Sequence, residues 1–535
     1  MENNEISIQA VADALNISTA TVRNWIKKEH FKKLDNGQID KNSFELFVKN
    51  MARNNKLNSR ANKSLKDNHN HEKHSETIIQ KINNSHFHDT IGDDYQNGLS
   101  DSYKNKEGIY YTPKEIVVDM MELKGELSNK KFCDPACGSG NFILQAIDLG
   151  IKPENVYGFD IDPIAIMITK KRIYEKTGYR SENIIHCNFL EIAQDKYVNF
   201  FDYIYTNPPW GKKFSKDEKN DYSLIFKTGN SKDSSSLFFA AALHCLKEKG
   251  ETGFLVQEAF FNISTFSSVR RMLLNNTILK IIDYGKAFEG LVTKAQAVMV
   301  RKETLTQNTH VVKCKTLKKN FLRSQTSFEE NPKFIINFLS SKEDEKIIRH
   351  ALSIPHVTLS DNAKWGLGIV TGNNKKFCLQ KKEEGTIPIF KGVDISKDGL
   401  KEPSNWIFPN FDNFQQVAPI ENYQADEKII YKFISSNLCF FNDTKQRFLL
   451  NSANFIIPDE KIGLTCQQIT DLLNSKFINW IFNNLFRTHK VLRGDLECLP
   501  LHYEYFKSNC IFCEKKYLDF IGIEEIKDGA YRIKS

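Results

Sequence analysis

The chain has 535 residues but no run of about 18 consecutive apolar residues, the length that a membrane-spanning helix needs. It also lacks the charged, apolar and small-residue segments of a secretory signal peptide. Its eleven cysteines are scattered, without the regular spacing of a disulfide framework. We therefore expect a cytoplasmic protein that has reduced thiols and does not associate with a membrane.

Metal-ligand patterns are sparse as well. Cys510 and Cys513 have the spacing of a zinc-ligand pair, but no second pair lies nearby in the sequence. Five histidines, from His69 to His88, fall in a polar tract, where a solvated segment is the expected structure. We expect no metal, and zinc at the cysteine pair remains the alternative.

The composition is that of a folded protein with several domains. Hydrophobic residues make up 40% of the chain and aromatic residues 12%, which is enough for substantial cores. Because single cores rarely serve more than about 250 residues, the length predicts two to four domains. The formal charge of +8 suits a polyanionic partner.

Residues 1–50 are predicted to form a small helical domain. Ile8, Val11, Ala12 and Leu15 have helical spacing, and a second helix follows a break at residues 16–18. Two short helices joined by a tight turn resemble a helix-turn-helix of the MerR-like type. The second helix carries the candidate DNA-contacting residues Thr19, Thr21, Arg23, Asn24, Lys27 and Lys28. The alternative is a helical hairpin that docks on the rest of the protein. Residues 51–107, which are polar and poor in apolar residues, are predicted to be a flexible linker.

Residues 108–302 alternate between predicted strands and helices, whereas residues 330–535 show no simple period. The predicted strands are KKFCDPA, NVYGFDI, NIIHCNFL, FDYIYTN, TGFLVQEAF, LKIIDYG and AQAVMVR. A helix is predicted over SLFFAAALHCLKEKG. Such alternation predicts an α/β fold with a doubly wound mixed sheet, and the last third is a separate α+β domain.

The segment KFCDPACGSGNF is a strand followed by a glycine-rich turn that opens a helix. Gly138 and Gly140 let the backbone approach a ligand closely, although the segment lacks a full G-x-G-x-x-G pattern. Asp134 and Asp160 each end a predicted strand. An acidic side chain at that position can accept hydrogen bonds from ribose hydroxyls. Together these features predict a cofactor that contains a nucleoside.

The segment FDYIYTNPPWGKKF runs an apolar strand directly into Asn207, Pro208, Pro209 and Trp210. Two prolines remove backbone donors and stiffen the corner. The Asn207 side-chain oxygen and the Pro208 carbonyl are neighbouring acceptors that suit the two N–H donors of a planar amino group. Trp210 supplies a flat face on which a base can stack.

Asn-Pro-Pro-aromatic together with Asp-Pro-Ala-Cys-Gly-Ser-Gly resembles the S-adenosylmethionine-dependent N6-adenine DNA methyltransferases. The motif order, from Tyr-Thr-Pro through the glycine-rich turn to Asn-Pro-Pro-Trp, resembles the gamma subclass that includes the TaqI-type methylases. The resemblance implies a Rossmann-like catalytic domain, S-adenosylmethionine as cofactor and a C-terminal target-recognition domain. The cofactor-binding residues that it implies are Tyr111, Thr112, Pro113, Asp134, Ala136, Cys137, Gly138, Gly140, Asp160, Ile161, Asn188 and Phe189.

One cofactor-binding residue, Asn188, departs from the family, which usually has an aspartate there to accept a hydrogen bond from the adenine amino group of the cofactor.

The resemblance also implies contacts to DNA. Trp210 and Phe288 are expected at the flipped target base, with Asn207 to Trp210 as the catalytic corner. The predicted DNA-binding residues are Lys212 and Lys213 in a long polar loop and Lys375, Lys376 and Arg493 in the last domain.

The function predicted from these features is site-specific methylation of adenine N6 in double-stranded DNA, as the modification part of a restriction-modification system. We expect a monomer, with a separate cognate restriction endonuclease as a candidate partner. Three alternatives remain: methylation of RNA or of a protein glutamine, a bifunctional restriction enzyme, and a DNA-binding regulator with an inert methylase fold. The second would need a nuclease carboxylate cluster, and residues 1–107 hold a helical unit and a polar tract instead.

Overall fold

The structure is a computed structural model. It describes residues 5–14, 19–27, 32–34, 36–53, 74–82, 90–99, 104, 110–211, 214–288, 293–305, 309–527 and 529–534. These residues fall in two compact units. The first lies within residues 1–225, 237–256 and 288–292, and the second within residues 226–236, 257–287 and 293–535. Among the helices of these ranges, none is long and apolar enough to cross a membrane.

The N-terminal part of the first unit contains three helices and a two-stranded antiparallel sheet. Strand β1 (Glu5–Ile6) pairs with β2 (Ile39–Asp40). The helices are Ile8–Ala14, Thr19–Lys27 and Lys41–Arg53. Apolar side chains pack between them, with Trp25 and Phe47 rings 5.2 Å apart. Leu15, the predicted turn at residues 16–18 and Lys28 lie outside the described residues, as do the side chains of Thr21, Asn24 and Lys27. The helix-turn-helix and its DNA contacts therefore stay predictions.

Two helices lie within the stretch that composition predicted to be a flexible linker. They span residues 74–82 and Ile91–Gly98. Ile78, Ile82, Ile91, Tyr95 and Leu99 form an apolar cluster with Ile164 and Ile168. These two segments are helical, whereas a flexible linker was predicted for them. They pack because their few apolar residues are spaced along one face of each helix and are buried together.

The first unit is built on five parallel strands. They are β3 (Phe132–Asp134), β4 (Val156–Asp160), β5 (Ile184–His186), β6 (Phe201–Thr206) and β7 (Leu246–Gln257). Their spatial order is β5-β4-β3-β6-β7, and every neighbouring pair is parallel. The order reverses between β3 and β6, which is the switch point of a doubly wound sheet. Ligands of such sheets bind outside the carboxyl ends of the strands at that point.

Helices precede or connect these strands. They are Lys114–Met120, Asn141–Asp148, Pro163–Thr177, Phe189–Ile192, Lys216–Ile225 and Ser234–Cys245. The helix Pro163–Thr177 shows how local sequence sets the bounds. Its first turn is capped by Asp162, whose carboxylate accepts from the Ile164 N–H at 2.9 Å, and it ends at Gly178 with φ +72°.

The second unit contains strands β8 (Thr277–Gly285), β9 (Ala295–Arg301), β10 (Val311–Thr316) and β11 (Asn320–Ser324). β8 is antiparallel to β9 and parallel to β10, and β10 is antiparallel to β11. The associated helices are Ala259–Asn262, Ser267–Leu274 and Thr326–Glu329. Arg270 is fully buried there and donates to the carbonyls of Phe260, Ile263, Lys333 and Phe334.

The rest of the second unit mixes short strands with helices around two apolar clusters. A four-stranded antiparallel sheet has the order β12 (Ala363–Leu367), β20 (Ala453–Pro458), β17 (Lys428–Lys432), β18 (Phe440–Asp443). The other strands are β13 (Ile387–Phe390), β14 (Ile395–Ser396), β15 (Gly399–Leu400), β16 (Trp406–Ile407), β19 (Phe448–Leu449), β21 (Ile523–Lys527) and β22 (Ala530–Ile533). The helices are Lys342–Ser353, Asn374–Phe377, Ile420–Tyr423, Cys466–Asn474, Lys476–Leu485, Arg493–Leu496, Tyr505–Ser508 and Glu514–Phe520.

The predicted α/β class, with parallel and antiparallel strand pairs and a C-terminal α+β part, is confirmed. One predicted boundary is wrong. The helix predicted over residues 236–250 ends at Cys245, and Leu246 begins β7, where it pairs with Phe201 of β6. Strand pairing overrides the helix propensity of this lysine- and glutamate-rich stretch. The predicted domain boundaries at residues 50, 107, 302 and 330 stay predictions.

Candidate functional site

The glycine-rich turn follows β3 and is hydrogen-bonded to the carboxyl end of β4. Asp134, the last residue of β3, accepts from the Ala136 N–H at 3.1 Å. Asp160, the last residue of β4, accepts from the Gly138 N–H at 2.8 Å through Oδ2 and from the Asp162 N–H at 2.9 Å through Oδ1. The turn is therefore held to the neighbouring strand by its own backbone, and the two predicted carboxylates lie at the same edge of the sheet.

Gly138 and Gly140 both have the left-handed backbone that favours glycine, with φ of +49° and +88°. A Cβ atom at Gly138 would lie 2.7 Å from Cε1 of Tyr111. One at Gly140 would lie 2.9 Å from Cγ2 of Thr169, whose hydroxyl donates to the Gly138 carbonyl at 2.8 Å. The turn therefore needs glycine for its conformation and for the close approach of these side chains.

A pocket opens at this turn. Its lining residues are Tyr110, Tyr111, Thr112, Asp134, Ala136, Cys137, Gly138, Ser139, Asn141, Phe142 and Asn207. The structure thus brings together residues from the Tyr-Thr-Pro segment, the glycine-rich turn and the Asn-Pro-Pro-Trp corner. Pro113 is the N-cap residue of the helix Lys114–Met120. The carbonyl of Thr112 accepts from the Asn141 side chain at 2.8 Å.

Burial dominates the electrostatics of this pocket. It raises the pKa of the Asp134 carboxyl to about 7. Burial also raises the pKa of the Tyr111 hydroxyl well above its ordinary value, and the carboxylates of Asp162 and Asp160 raise it further. The Tyr111 hydroxyl oxygen is buried and has no hydrogen-bond partner among the described residues. The Tyr111 hydroxyl is therefore a neutral, buried polar group without a protein partner among the described residues, as expected where a ligand supplies the hydrogen bond.

The Asn-Pro-Pro-Trp corner follows β6 directly. The Nδ2 amino group of Asn207 donates to the Tyr110 carbonyl at 2.7 Å. Its Oδ1 atom is buried, and no donor reaches it from the part of the chain that the structure describes. Pro208 is buried, so the corner is fixed by packing as well as by its two rings. One end of the Asn207 amide is anchored, and the other is left to accept.

The Trp210 ring of this corner lies beside two other aromatic rings, those of Phe288 and Tyr110. The Trp210 indole N–H donates to the Leu255 carbonyl at 3.1 Å, which fixes the plane of the ring. The Phe288 ring meets it edge-on, with centroids 5.5 Å apart and planes at 90°. The Tyr110 ring lies 6.0 Å from Phe288. The predicted pair Trp210 and Phe288 is therefore brought together beside Asn207.

The outer cofactor residues of the prediction lie at the ends of β4 and β5. Ile161 is 47% exposed, which is unusual for isoleucine next to a strand. Asn188 caps the helix Phe189–Ile192 by accepting from the Leu190 N–H, and its amino group donates to the Tyr222 hydroxyl at 3.0 Å. Phe189 is buried, and its ring packs 5.5 Å from that of Phe159. It is presented as a core residue, and its contact with a cofactor stays a prediction.

Several residues of the site were missed at the level of sequence. Tyr110 accepts from Asn207, Gln96 accepts from the Tyr111 N–H at 3.1 Å, and the Tyr95 hydroxyl donates to Asp162 at 2.8 Å. Arg172 donates to the Ser139 carbonyl at 2.6 Å. The signal for Tyr95 and Gln96 was the spacing of Ile91, Tyr95 and Leu99, a helical repeat inside a polar stretch.

The predicted DNA-binding cations of the second unit are exposed. Lys375 and Lys376 lie on the short helix Asn374–Phe377. The Arg493 side chain is 59% exposed, and it pairs with Glu497 at 2.6 Å. Lys212 and Lys213 lie outside the described residues. Within those residues, no group of three or more His, Cys, Asp or Glu side chains is arranged to hold a metal ion.

Comparison with known proteins gives matches over both units. The N-6 DNA Methylase family matches residues 86–364, and the TaqI-like C-terminal specificity domain matches residues 387–501. The chain is 46% identical over 396 residues to the Type II methyltransferase M.VspI of Vibrio sp. (strain 343), which covers 74% of this chain and 97% of that protein. It is 24% identical over 335 residues to the Type II methyltransferase M.AccI of Acinetobacter calcoaceticus, covering 57% of this chain and 58% of that one.

Two solved structures share the fold. The Type IIL restriction-modification enzyme MmeI in complex with DNA has a TM-score of 0.52 at 11% identity, over 88% of this chain and 74% of that chain. The DrdV–DNA complex has a TM-score of 0.51 at 12% identity, over 93% and 64%. At such identities the likeness concerns the fold alone. The family match covers more than half of the chain, and M.VspI is matched over nearly its whole length. The chain therefore belongs to the N-6 DNA Methylase family: it is a DNA methyltransferase of the restriction-modification type, which implies S-adenosylmethionine as methyl donor, with a TaqI-like specificity domain.

Proposed function

We propose that the Asn207–Trp210 corner holds the target adenine, rotated out of double-stranded DNA, with its N6 amino group on the Asn207 side-chain oxygen and the Pro208 carbonyl. The observation that carries this proposal is the orientation of Asn207. Its Nδ2 is tied to the Tyr110 carbonyl, so Oδ1 is the end presented, and that oxygen is buried without a donor. A buried acceptor without a donor is costly unless a ligand satisfies it.

Two acceptors on one amino group have a chemical consequence. An exocyclic amine conjugated to a purine ring is a poor nucleophile, because its lone pair is delocalised into the ring. Hydrogen bonds from both N–H groups to Asn207 and Pro208 favour a geometry in which the lone pair points away from the ring plane. Fixed acceptors in a site that excludes water do this without reorganisation at the moment of reaction. No charged general base is needed, since the proton can leave after the nitrogen becomes cationic.

The aromatic residues account for the rotated base. N6 cannot meet a methyl donor inside the stacked duplex, so the base must leave it. Trp210 offers its face, because its indole N–H is fixed on the Leu255 carbonyl, and Phe288 stands perpendicular to it. A purine stacked on Trp210 would meet the edge of Phe288, and such ring contacts contribute about 0.5–1.5 kcal/mol each. These contacts would offset part of the unstacking cost.

We assign the pocket beside the corner to S-adenosylmethionine, because its residues suit that cofactor. The Tyr111 hydroxyl is buried without a partner among the described residues. Gly138 lets the Tyr111 ring lie directly against the glycine-rich turn, and Ile161 exposes an apolar surface at the strand end. We assign Asp160 to the ribose hydroxyls and Ile161 to the adenine ring. The other residues that we assign to the cofactor fall in two groups. Tyr111, Thr112, Asp134, Ala136, Cys137 and Gly138 line the pocket, and Pro113, Gly140, Asn188 and Phe189 lie next to lining residues or at the end of β5. When bound, the cofactor supplies an electrophilic methyl group.

The remaining parts of the proposal concern DNA and partners. Lys375, Lys376 and Arg493 would neutralise phosphates or read bases from the specificity domain. Lys212 and Lys213, which follow the corner in the sequence, would contact phosphates. Arg493 would do so in competition with its ion pair to Glu497. The protein would act in the cytoplasm as a monomer, with a separate cognate endonuclease.

The test is the formation of N6-methyladenine. The chain is produced in a host without adenine methylation, and its DNA is hydrolysed to nucleosides and analysed by mass spectrometry. We expect methyladenine from the wild-type chain and none from Asn207→Ala, while S-adenosylmethionine binding, followed by calorimetry, stays within about threefold. Mapping the modified positions then gives the recognition sequence. Folded, cofactor-binding wild-type protein that produces no methyladenine would refute the proposal, as would full activity of Asn207→Ala.

A further inference from the structure

The helix Ile91–Gly98 lies outside every motif that indicated the function, yet it is anchored at the cofactor pocket. The hydroxyl of Tyr95, which is fully buried, donates to the Asp162 carboxylate at 2.8 Å. A Cβ atom at Gly92 would lie 2.5 Å from Cβ of Ser139, so the helix backbone lies directly against the glycine-rich turn. These contacts fix the helix that carries Gln96 relative to the site.

Gln96 holds one side of a single peptide group, and the proposed catalytic asparagine holds the other. The Tyr111 N–H donates to Gln96 Oε1 at 3.1 Å. The Tyr110 carbonyl, which belongs to the same planar peptide unit, accepts from Asn207 Nδ2 at 2.7 Å. Because the N–H and C=O groups of a trans peptide point in opposite directions, Gln96 and Asn207 bind the Tyr110–Tyr111 peptide group from opposite sides.

The chemistry of each contact sets the orientation of both amide side chains. A backbone N–H can only donate, so the end of Gln96 that faces Tyr111 is its oxygen. A carbonyl can only accept, so the end of Asn207 that faces Tyr110 is its amino group. The Asn207 oxygen is then the end left in the buried position without a donor. Rotation of the 110–111 peptide would remove the carbonyl and release the Asn207 amide to turn.

We propose that Gln96 is a positioning residue for methyl transfer: by holding the Tyr110–Tyr111 peptide, it keeps the Asn207 oxygen turned toward the target amino group. This inference rests on the proposed role of Asn207. Gln96 acts through the peptide and touches neither substrate. Its loss should therefore slow the methyl-transfer step more than it weakens either binding step.

The test compares three substitutions on the same helix. Gln96→Met keeps the length of the side chain and removes the acceptor. Gln96→Glu keeps an acceptor oxygen. Asn97→Met makes the matched change at an exposed neighbouring position and serves as the control. Each full-length variant is assayed for the single-turnover rate of methyl transfer to DNA that carries the mapped site, for S-adenosylmethionine affinity by calorimetry and for melting temperature. Gln96→Ala is a second variant that removes the acceptor, should the methionine not be accommodated.

We expect a rate about tenfold lower in Gln96→Met and Gln96→Ala, the equivalent of one lost hydrogen bond, with cofactor affinity within about twofold. Gln96→Glu should recover the rate to within about threefold of wild type, and Asn97→Met should equal wild type. A wild-type rate in both acceptor-free variants overturns the inference. So does a parallel loss of rate and cofactor affinity that glutamate does not recover, because Gln96 would then support the pocket only. An inactive wild-type chain would instead refute the proposed function. If the wild type is active and Asn207→Ala is inactive, the proposed function stands, and failure of the Gln96 variants to behave as expected refutes the role of Gln96 alone.

Discussion

Substitution of Gly138 by alanine is the sharpest steric test of the cofactor pocket. Gly138 has φ +49°, and an added Cβ would lie 2.7 Å from Cε1 and 2.8 Å from Cδ1 of Tyr111. The ring has little freedom to retreat, because its hydroxyl oxygen is buried and its backbone N–H is bonded to Gln96. Either the ring or the glycine-rich turn must shift.

The cost has two parts. An alanine in the left-handed region costs about 1–2 kcal/mol, and forcing an extra methyl group into a packed site costs about 1–3 kcal/mol more. We therefore expect the free energy of unfolding of Gly138→Ala to fall by roughly 2–5 kcal/mol. Since Tyr111 and Gly138 both line the pocket, S-adenosylmethionine should bind about tenfold more weakly or worse, which corresponds to about 1.4 kcal/mol.

Gly178→Ala is the control that separates the backbone cost from the steric cost of the added methyl group. Gly178 ends the helix Pro163–Thr177 with φ +72°, and nothing lies within 4 Å of a Cβ built there. This variant should lose about 1–2 kcal/mol of stability from the backbone alone and keep its cofactor affinity. Stability is measured by chemical denaturation and affinity by calorimetric titration. Equal cofactor affinity in the two variants would refute the assignment of this turn and Tyr111 to the cofactor.

Three further outcomes are expected elsewhere in the chain. Phe288→Leu removes the ring edge that meets Trp210 at 5.5 Å, and should slow single-turnover methyl transfer about three- to tenfold with unchanged cofactor affinity; an unchanged rate contradicts the role of Phe288. Lys428→Met removes one of the two cations that pair with the fully buried Asp443, since Arg447 still donates to its other oxygen, and should lower the free energy of unfolding by about 1–3 kcal/mol in chemical denaturation. An unchanged free energy of unfolding would show that Lys428 is dispensable. Burial lowers the pKa of His502 to about 4 from its ordinary 6.5, so the unfolded chain takes up this proton first and stability falls by about 3 kcal/mol between pH 6.5 and 4. Denaturation at a series of pH values should show His502→Gln losing this part of the pH dependence, and equal slopes would contradict it.

The site could be predicted from sequence wherever its residues lie next to the strand that positions them. Asp134, Asp160 and Asn207 each end or follow an apolar run, and parallel strands bring their carboxyl ends to one edge. The reversal between β3 and β6 then places the glycine-rich turn beside the Asn-Pro-Pro-Trp corner. Local pattern and sheet topology were sufficient for these residues.

The second layer of the site could not be predicted in the same way. Gln96 acts through a side-chain contact 15 residues along the chain, and nothing in its own neighbourhood specifies that partner. The polar composition of residues 51–107 also concealed the spacing of Ile91, Tyr95 and Leu99, which are buried together. Composition averages over a window, whereas a short amphipathic helix needs only one apolar residue per turn to pack.

The dipeptide Tyr110–Tyr111 joins the two halves of the proposed chemistry. The Tyr111 ring lies against Gly138 in the cofactor pocket, and the Tyr110 carbonyl holds the Asn207 amino group. A displaced Tyr111 ring would affect the methyl donor, while a rotated peptide would affect the methyl acceptor. Gly138→Ala should therefore act mainly on cofactor affinity and Gln96→Met mainly on the transfer rate, although both act on adjacent residues. If instead both variants changed the same parameter, the segment would act as one rigid body, and the separate roles assigned to its side chain and its peptide would be wrong.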